Sequence, residues 1–112
     1  MLKMLRMNVN AGILNINHLI YVVHAVWEGR TEWRSLGLEL GLSSDTLETI
    51  GMDYHQSIKE CFLEMLSVWL RSGHRPSWEA LISALKLPSV GLHSLAVQLD
   101  KRKGLIKYSY YL

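Results

Sequence analysis

Apolar residues recur at helical spacing in almost every segment of the chain, and no stretch alternates strictly as a half-buried strand would. The pattern predicts an all-α fold of six short helices. In the first, over about 17–27, Leu19, Val22, Val23 and Val26 fall at i, i+3, i+4 and i+7, with Asn15 or Asn17 as cap and Gly29 as stop. Thr31 is the expected cap of a second helix carrying Trp33, Leu36, Gly37 and Leu40, which Gly41 ends as a left-handed residue while Gly37 admits a close helix neighbour. Ser43 or Ser44 caps a short third helix with Leu47 and Ile50 inward, ending at Gly51. The fourth is the most regular, because Ile58, Cys61, Phe62, Met65, Leu66, Trp69 and Leu70 keep one stripe for three turns. It is the expected core helix. The segment Ser72-Gly73-His74-Arg75-Pro76 breaks it, and Ser77 caps a fifth helix with Trp78, Leu81, Ile82 and Leu85 inward, closed by Pro88. Ser89 caps a sixth with Leu92, Leu95, Ala96 and Leu99 inward and Lys101, Arg102 and Lys103 at its negative end.

A length of 112 residues suits one domain. The expected division is an N-terminal extension over 1–14, the domain over 15–103, and a C-terminal tail or linker start over 104–112. Apolar residues at 49% against charged residues at 20% make the chain a folding one rather than a disordered one. A single cysteine, Cys61, leaves no internal disulfide, which favours a reducing compartment, cytosol or nucleus, and cytoplasmic placement is the expectation. Asn8, Asn10 and Asn15 interrupt any signal-peptide core, and the longest mainly apolar stretch, 19–27, is under half of the ~20 residues that cross a bilayer. No membrane partner is expected.

Charge changes the picture more than composition does. Residues 28–64 hold eight acids and three bases, net −5, whereas residues 65–112 hold seven bases and two acids, net +5. If the fold keeps these halves on different faces, one copy can dock its acidic face on the basic face of the next. Solvated helix faces with no partner would produce the same composition.

Candidate chemistry is sparse. The five histidines and Cys61 form no C-x-x-C or H-x-x-x-H unit, Cys61 sits in an apolar stripe where a thiol pKa rises, and there is no phosphate loop or nucleophile elbow. Neither catalysis, nor a metal, nor a cofactor, nor a small-molecule substrate is expected. The alternative function is a helix-turn-helix nucleic-acid-binding domain, because residues 36–47 read helix, glycine turn, helix. Residues 43–53 argue against it, since they offer Asp45, Glu48 and Asp53 and no base to meet DNA. The four tryptophans, Trp27, Trp33, Trp69 and Trp78, fall at apolar helical positions and read as core. Leu38, Leu63 and Val68 lie off the inward stripes and are candidate exposed contacts.

The run Trp33-Arg34-Ser35-Leu36-Gly37-Leu38-Glu39-Leu40-Gly41-Leu42 resembles the W-x-x-L-G-x-x-L-G-L signature of the death domain family. Residues 60–70 are similar to the family's fourth helix with its L-x-x-W-L ending, and Pro76-Ser77-Trp78 through Leu85 is similar to its P-T-W-x-x-L-x-x-A-L fifth helix. The resemblance covers about residues 17–100. It implies a six-helix antiparallel bundle of Greek-key death-fold topology. It further implies a non-enzymatic adaptor in apoptotic or innate-immune signalling that binds itself and other death-fold domains, building helical oligomers or filaments. The expected interaction residues are Asp45, Glu48 and Asp53 as an acidic patch and Arg71, His74 and Arg75 as a basic one, with Glu28 and Arg30 secondary. No nucleic-acid partner is expected.

Overall fold

The computed structural model describes residues 13–109, with side chains described for residues 13–101. Expectations that fall on residues 1–12 and 110–112, and on the side chains of Arg102, Lys103 and Lys107, lie outside those described. Among the described residues there are six α-helices: α1 (Leu19–Val26), α2 (Trp33–Glu39), α3 (Ser44–Asp53), α4 (Ile58–Leu70), α5 (Trp78–Lys86) and α6 (His93–Ser109). The core helix is α4, which buries Cys61, Phe62, Met65, Leu66, Trp69 and Leu70. It packs against α1, α2 and α3, while α5 packs along α6 and also reaches α2. Completely burying one large aliphatic side chain stabilises by about 1.5–3 kcal/mol, so this stripe supplies much of the drive to fold.

The helix starts are set by serine side chains that accept otherwise unpaired backbone N–H groups. Ser43 caps α3 at Thr46, Ser57 caps α4 at Glu60 and Ser77 caps α5 at Ala80. Between α2 and α3 the chain reverses at Gly41, whose φ of +100° only glycine adopts without strain. A Cβ at Gly37 would stand 2.6 Å from a Leu47 methyl and 3.0 Å from Met65 Cγ, so the missing side chain lets α2 press onto α3 and α4.

Four local expectations are corrected. Gly29 does not end the first helical region, because α1 passes straight into a 3₁₀ segment, Trp27–Glu32, in which Gly29 is buried. Substituting it with a larger residue would drive a Cβ into Leu92. Thr31 therefore lies inside that segment and caps nothing; α2 begins after Glu32 with no side-chain cap. Helix α3 runs through Gly51 to Asp53. Helix α6 starts at His93, and Ser89 instead donates from its hydroxyl to Glu39 Oε2 at 2.7 Å, tying the α5–α6 link to the end of α2.

The chain ahead of α1 forms a strap. Ile13 pairs with Ser77 as an isolated antiparallel bridge, the Leu14 N–H donates to the Pro76 carbonyl at 2.7 Å, and Leu14 is buried in the core. A short 3₁₀ turn, Ile16–His18, capped by Asn15, then leads into α1. At the other end the α6 backbone continues through Ser109, so residues 104–109 prolong that helix.

Candidate functional site

Helix α3 places Asp45, Thr49 and Asp53 four residues apart, which puts them on one helix face. That face borders a groove of about 330 Å³ between α3 and α4, where Ile50 and Val68 meet Asp45, Asp53 and Glu64. Glu48 is exposed on the same helix but does not line the groove. Asp45 sits in the first turn of α3, where the positive end of the dipole favours it. The tyrosine that ends α3 reports the field here. The Tyr54 phenol is raised above its ordinary value mainly by the charge of Glu64, then by burial, by its hydrogen bond to Glu64, and by Asp53 and Glu60.

Glu64 and Glu60 were not among the residues expected from sequence. The available signal was their i, i+4 spacing on α4, which places both on one edge of that helix. Which neighbour that edge faces is a tertiary fact.

Arg71, His74 and Arg75 are brought together on the link between α4 and α5, and all three are exposed. Arg71 occupies the C-cap of α4, where a cation suits the negative end of the helix. Arg75 is left-handed at φ +55°, Gly73 is left-handed at φ +79°, and the Ser72 hydroxyl accepts the His74 N–H at 3.3 Å. The strap bond from Leu14 to Pro76, with Pro76 itself buried, holds the inner side of this link. Glu64, on the groove, and Arg71 stand seven residues apart on α4, about 10 Å along its axis at 1.5 Å per residue. That separation is comparable to the Debye length of about 8 Å at physiological salt.

The secondary pair is elsewhere. Glu28 and Arg30 lie on the 3₁₀ segment after α1, Glu28 on the rim of a cavity of about 510 Å³ that also involves Val23, Trp27, Lys59 and Leu95. Arg30 is engaged internally: its Nη1 donates to the Trp27 carbonyl at 3.0 Å and its guanidinium stacks 4.6 Å over the Trp27 ring. Trp33, Trp69 and Trp78 are buried, whereas Trp27 is half-buried with its ring edge-on to Phe62. Leu38 is exposed, while Leu63 is half-buried and Val68 packs partly on the core.

Cys61 is buried and its thiol donates to the Ile50 carbonyl at 3.7 Å. Burial pushes that thiol up, offset in part by the Arg34 charge and reinforced by Glu60. A thiol held protonated is a poor nucleophile. Among the described residues no three His, Cys, Asp or Glu side chains are grouped to hold a metal ion, and no helix is long and apolar enough to cross a membrane. The helix that would enter a DNA groove in a helix-turn-helix reading is α3, whose exposed acids would meet phosphate with like charge.

A family model described as Death domain matches residues 17–99. No curated protein and no solved structure matches the chain.

Proposed function

The chain belongs to the death domain family, and on that premise we propose that it self-associates head to tail, the acidic surface of one copy docking on the basic link of the next. The family premise carries the coarser statement directly: death domains are all-helical, non-enzymatic modules that bind other death-fold domains in signalling. The finer reading rests on one observation. Asp53 and Glu64 line a groove between α3 and α4, while Arg71, His74 and Arg75 lie exposed on the link that follows α4. A contact between two different surfaces of the same molecule leaves one of each free at the ends, so it propagates into a helical oligomer unless the rotation closes a ring. Opposite charge steers such encounters and sets their register.

In this reading the domain is a scaffold in apoptotic or innate-immune signalling, acts in the cytoplasm, and recruits other death-fold domains without a catalytic group, cofactor or small-molecule substrate. Sedimentation of Asp53→Lys tests the acidic surface. The variant keeps its melting temperature, since Asp53 is exposed, and forms smaller oligomers, since like charges across a contact cost several kcal/mol. Oligomers of unchanged size would remove the α3–α4 groove from the contact. A monomeric protein that shifts labelled duplex DNA would favour the nucleic-acid reading instead.

A further inference from the structure

The charged link does not stand alone on its surface. Ile13 pairs with Ser77, and the next residue bonds to Pro76, so the strap lies directly beside Arg75. Although it is bridged, Ile13 remains 42% exposed, and Ile16 and Ile20 follow it along the strap and into α1 at 37% and 69% exposed. The basic corner of the molecule therefore has an apolar border that no part of the described chain covers. The α3–α4 groove has the complementary make-up: Ile50 and Val68 lie between Asp45, Asp53 and Glu64, with the hydroxyls of Thr46 and Thr49 beside them. At about 330 Å³ it is at the small end for a ligand pocket, and suits the side chains of a docking protein.

Resting on the self-association just described, we infer that the contact between copies is a corner-in-groove joint with an apolar centre, in which the Ile13 strap and Arg75 of one copy seat in the α3–α4 groove of a second copy. Ile13 meets the apolar floor while Arg75 meets the carboxylates of Asp53 and Glu64. The strap gives the contact what a purely ionic one lacks. Exposed ion pairs are screened by salt and contribute little, whereas apolar burial is insensitive to moderate salt and fixes one seat. It also assigns a task to the bond between Leu14 and Pro76, which holds Ile13 and the link as one rigid corner.

Two full-length variants, each blocked on one surface, test the joint. One carries Asp53→Lys with Glu64→Lys, and the other carries Ile13→Ser with Arg75→Glu. Each alone sediments as a monomer, and an equimolar mixture forms a dimer that grows no further, because only one intact corner and one intact groove remain. A mixture that stays monomeric overturns the joint. The apolar centre is read separately from Ile13→Ser on its own, made in the background of the corner-competent partner. The mixed dimer weakens about five- to tenfold, the loss expected for a partly exposed isoleucine that becomes covered, and becomes more sensitive to salt. If Ile13→Ser lowers the melting temperature, Ile13→Thr keeps the β-branched shape at the bridge and gives the same readout. Unchanged affinity with charge reversals still disruptive overturns the apolar centre and leaves head-to-tail assembly standing. A wild-type chain that is monomeric at the highest concentration reached overturns both.

Discussion

Leu14→Ala should destabilise the domain although residue 14 precedes the first helix. The Leu14 side chain is 2% exposed and belongs to the same buried cluster as the stripe of α4. Truncating such a leucine loses the transfer free energy of the removed carbons and leaves a cavity, together about 2–5 kcal/mol. A strap at the edge of a bundle can partly collapse into that space, so the lower part of the range, about 2–3 kcal/mol, is the expected cost. For a domain of this size each kcal/mol moves the melting temperature by roughly 4–8 °C, which puts the shift at about 10–20 °C. Thermal and urea unfolding followed by circular dichroism would measure it, with an unchanged urea slope showing that the same surface is exposed on unfolding. Ile13→Ser, beside it but 42% exposed, serves as the control and should cost clearly less than Leu14→Ala. The Leu14 amide, bonded to Pro76 at 2.7 Å, should exchange slowly with solvent. A Leu14→Ala protein as stable as the parent, with a freely exchanging amide, would show that the strap is not part of the core.

Trp69→Ala removes a side chain that is 2% exposed in the last turn of α4 and should cost about 3–5 kcal/mol, read by chemical denaturation; a stable, native-like variant would mean that α4 is rotated away from the core. Burial lowers the His18 imidazole, whose Nδ1 accepts the Asn15 N–H at 3.0 Å. The folded state therefore takes up a proton less readily than the unfolded chain, so stability present above about pH 6.5 is lost as the pH falls below it. His18→Gln keeps the capping acceptor without the titration, and a stability–pH slope unchanged by it would assign the effect elsewhere. Gly37→Val forces atoms onto Leu47 and Met65 and should cost about 1–3 kcal/mol in the same unfolding assays, whereas a neutral outcome would show that α2 can withdraw from α3 and α4.

Helix α4 was legible in the sequence because its buried side chains repeat at the helical period. The caps at Ser43 and Ser77 were legible for a local reason as well: the serine hydroxyl and the N–H it accepts lie three residues apart. The segment after α1 was not. A 3₁₀ turn has no 3.6-residue stripe to read, and Gly29, a stop residue by type, is buried where an added Cβ would meet Leu92 from a distant part of the chain. Ser89 had cap chemistry, but a tertiary partner, Glu39, engages its hydroxyl. The same distinction runs through the candidate site. The charges of Asp45, Asp53, Arg71 and Arg75 could be counted along the chain, and their side chains are exposed. That Glu64 completes the acidic groove depends on which edge of α4 faces α3. That the strap stiffens the basic link depends on a hydrogen bond spanning more than sixty residues of chain.

Sedimentation velocity of the purified domain, run over a series of concentrations at low and at high salt, bears most directly on head-to-tail assembly. The account predicts a species that lengthens with concentration, extends without a fixed end size, and shortens as salt is raised. A single sharp boundary at the monomer mass under every condition would contradict it.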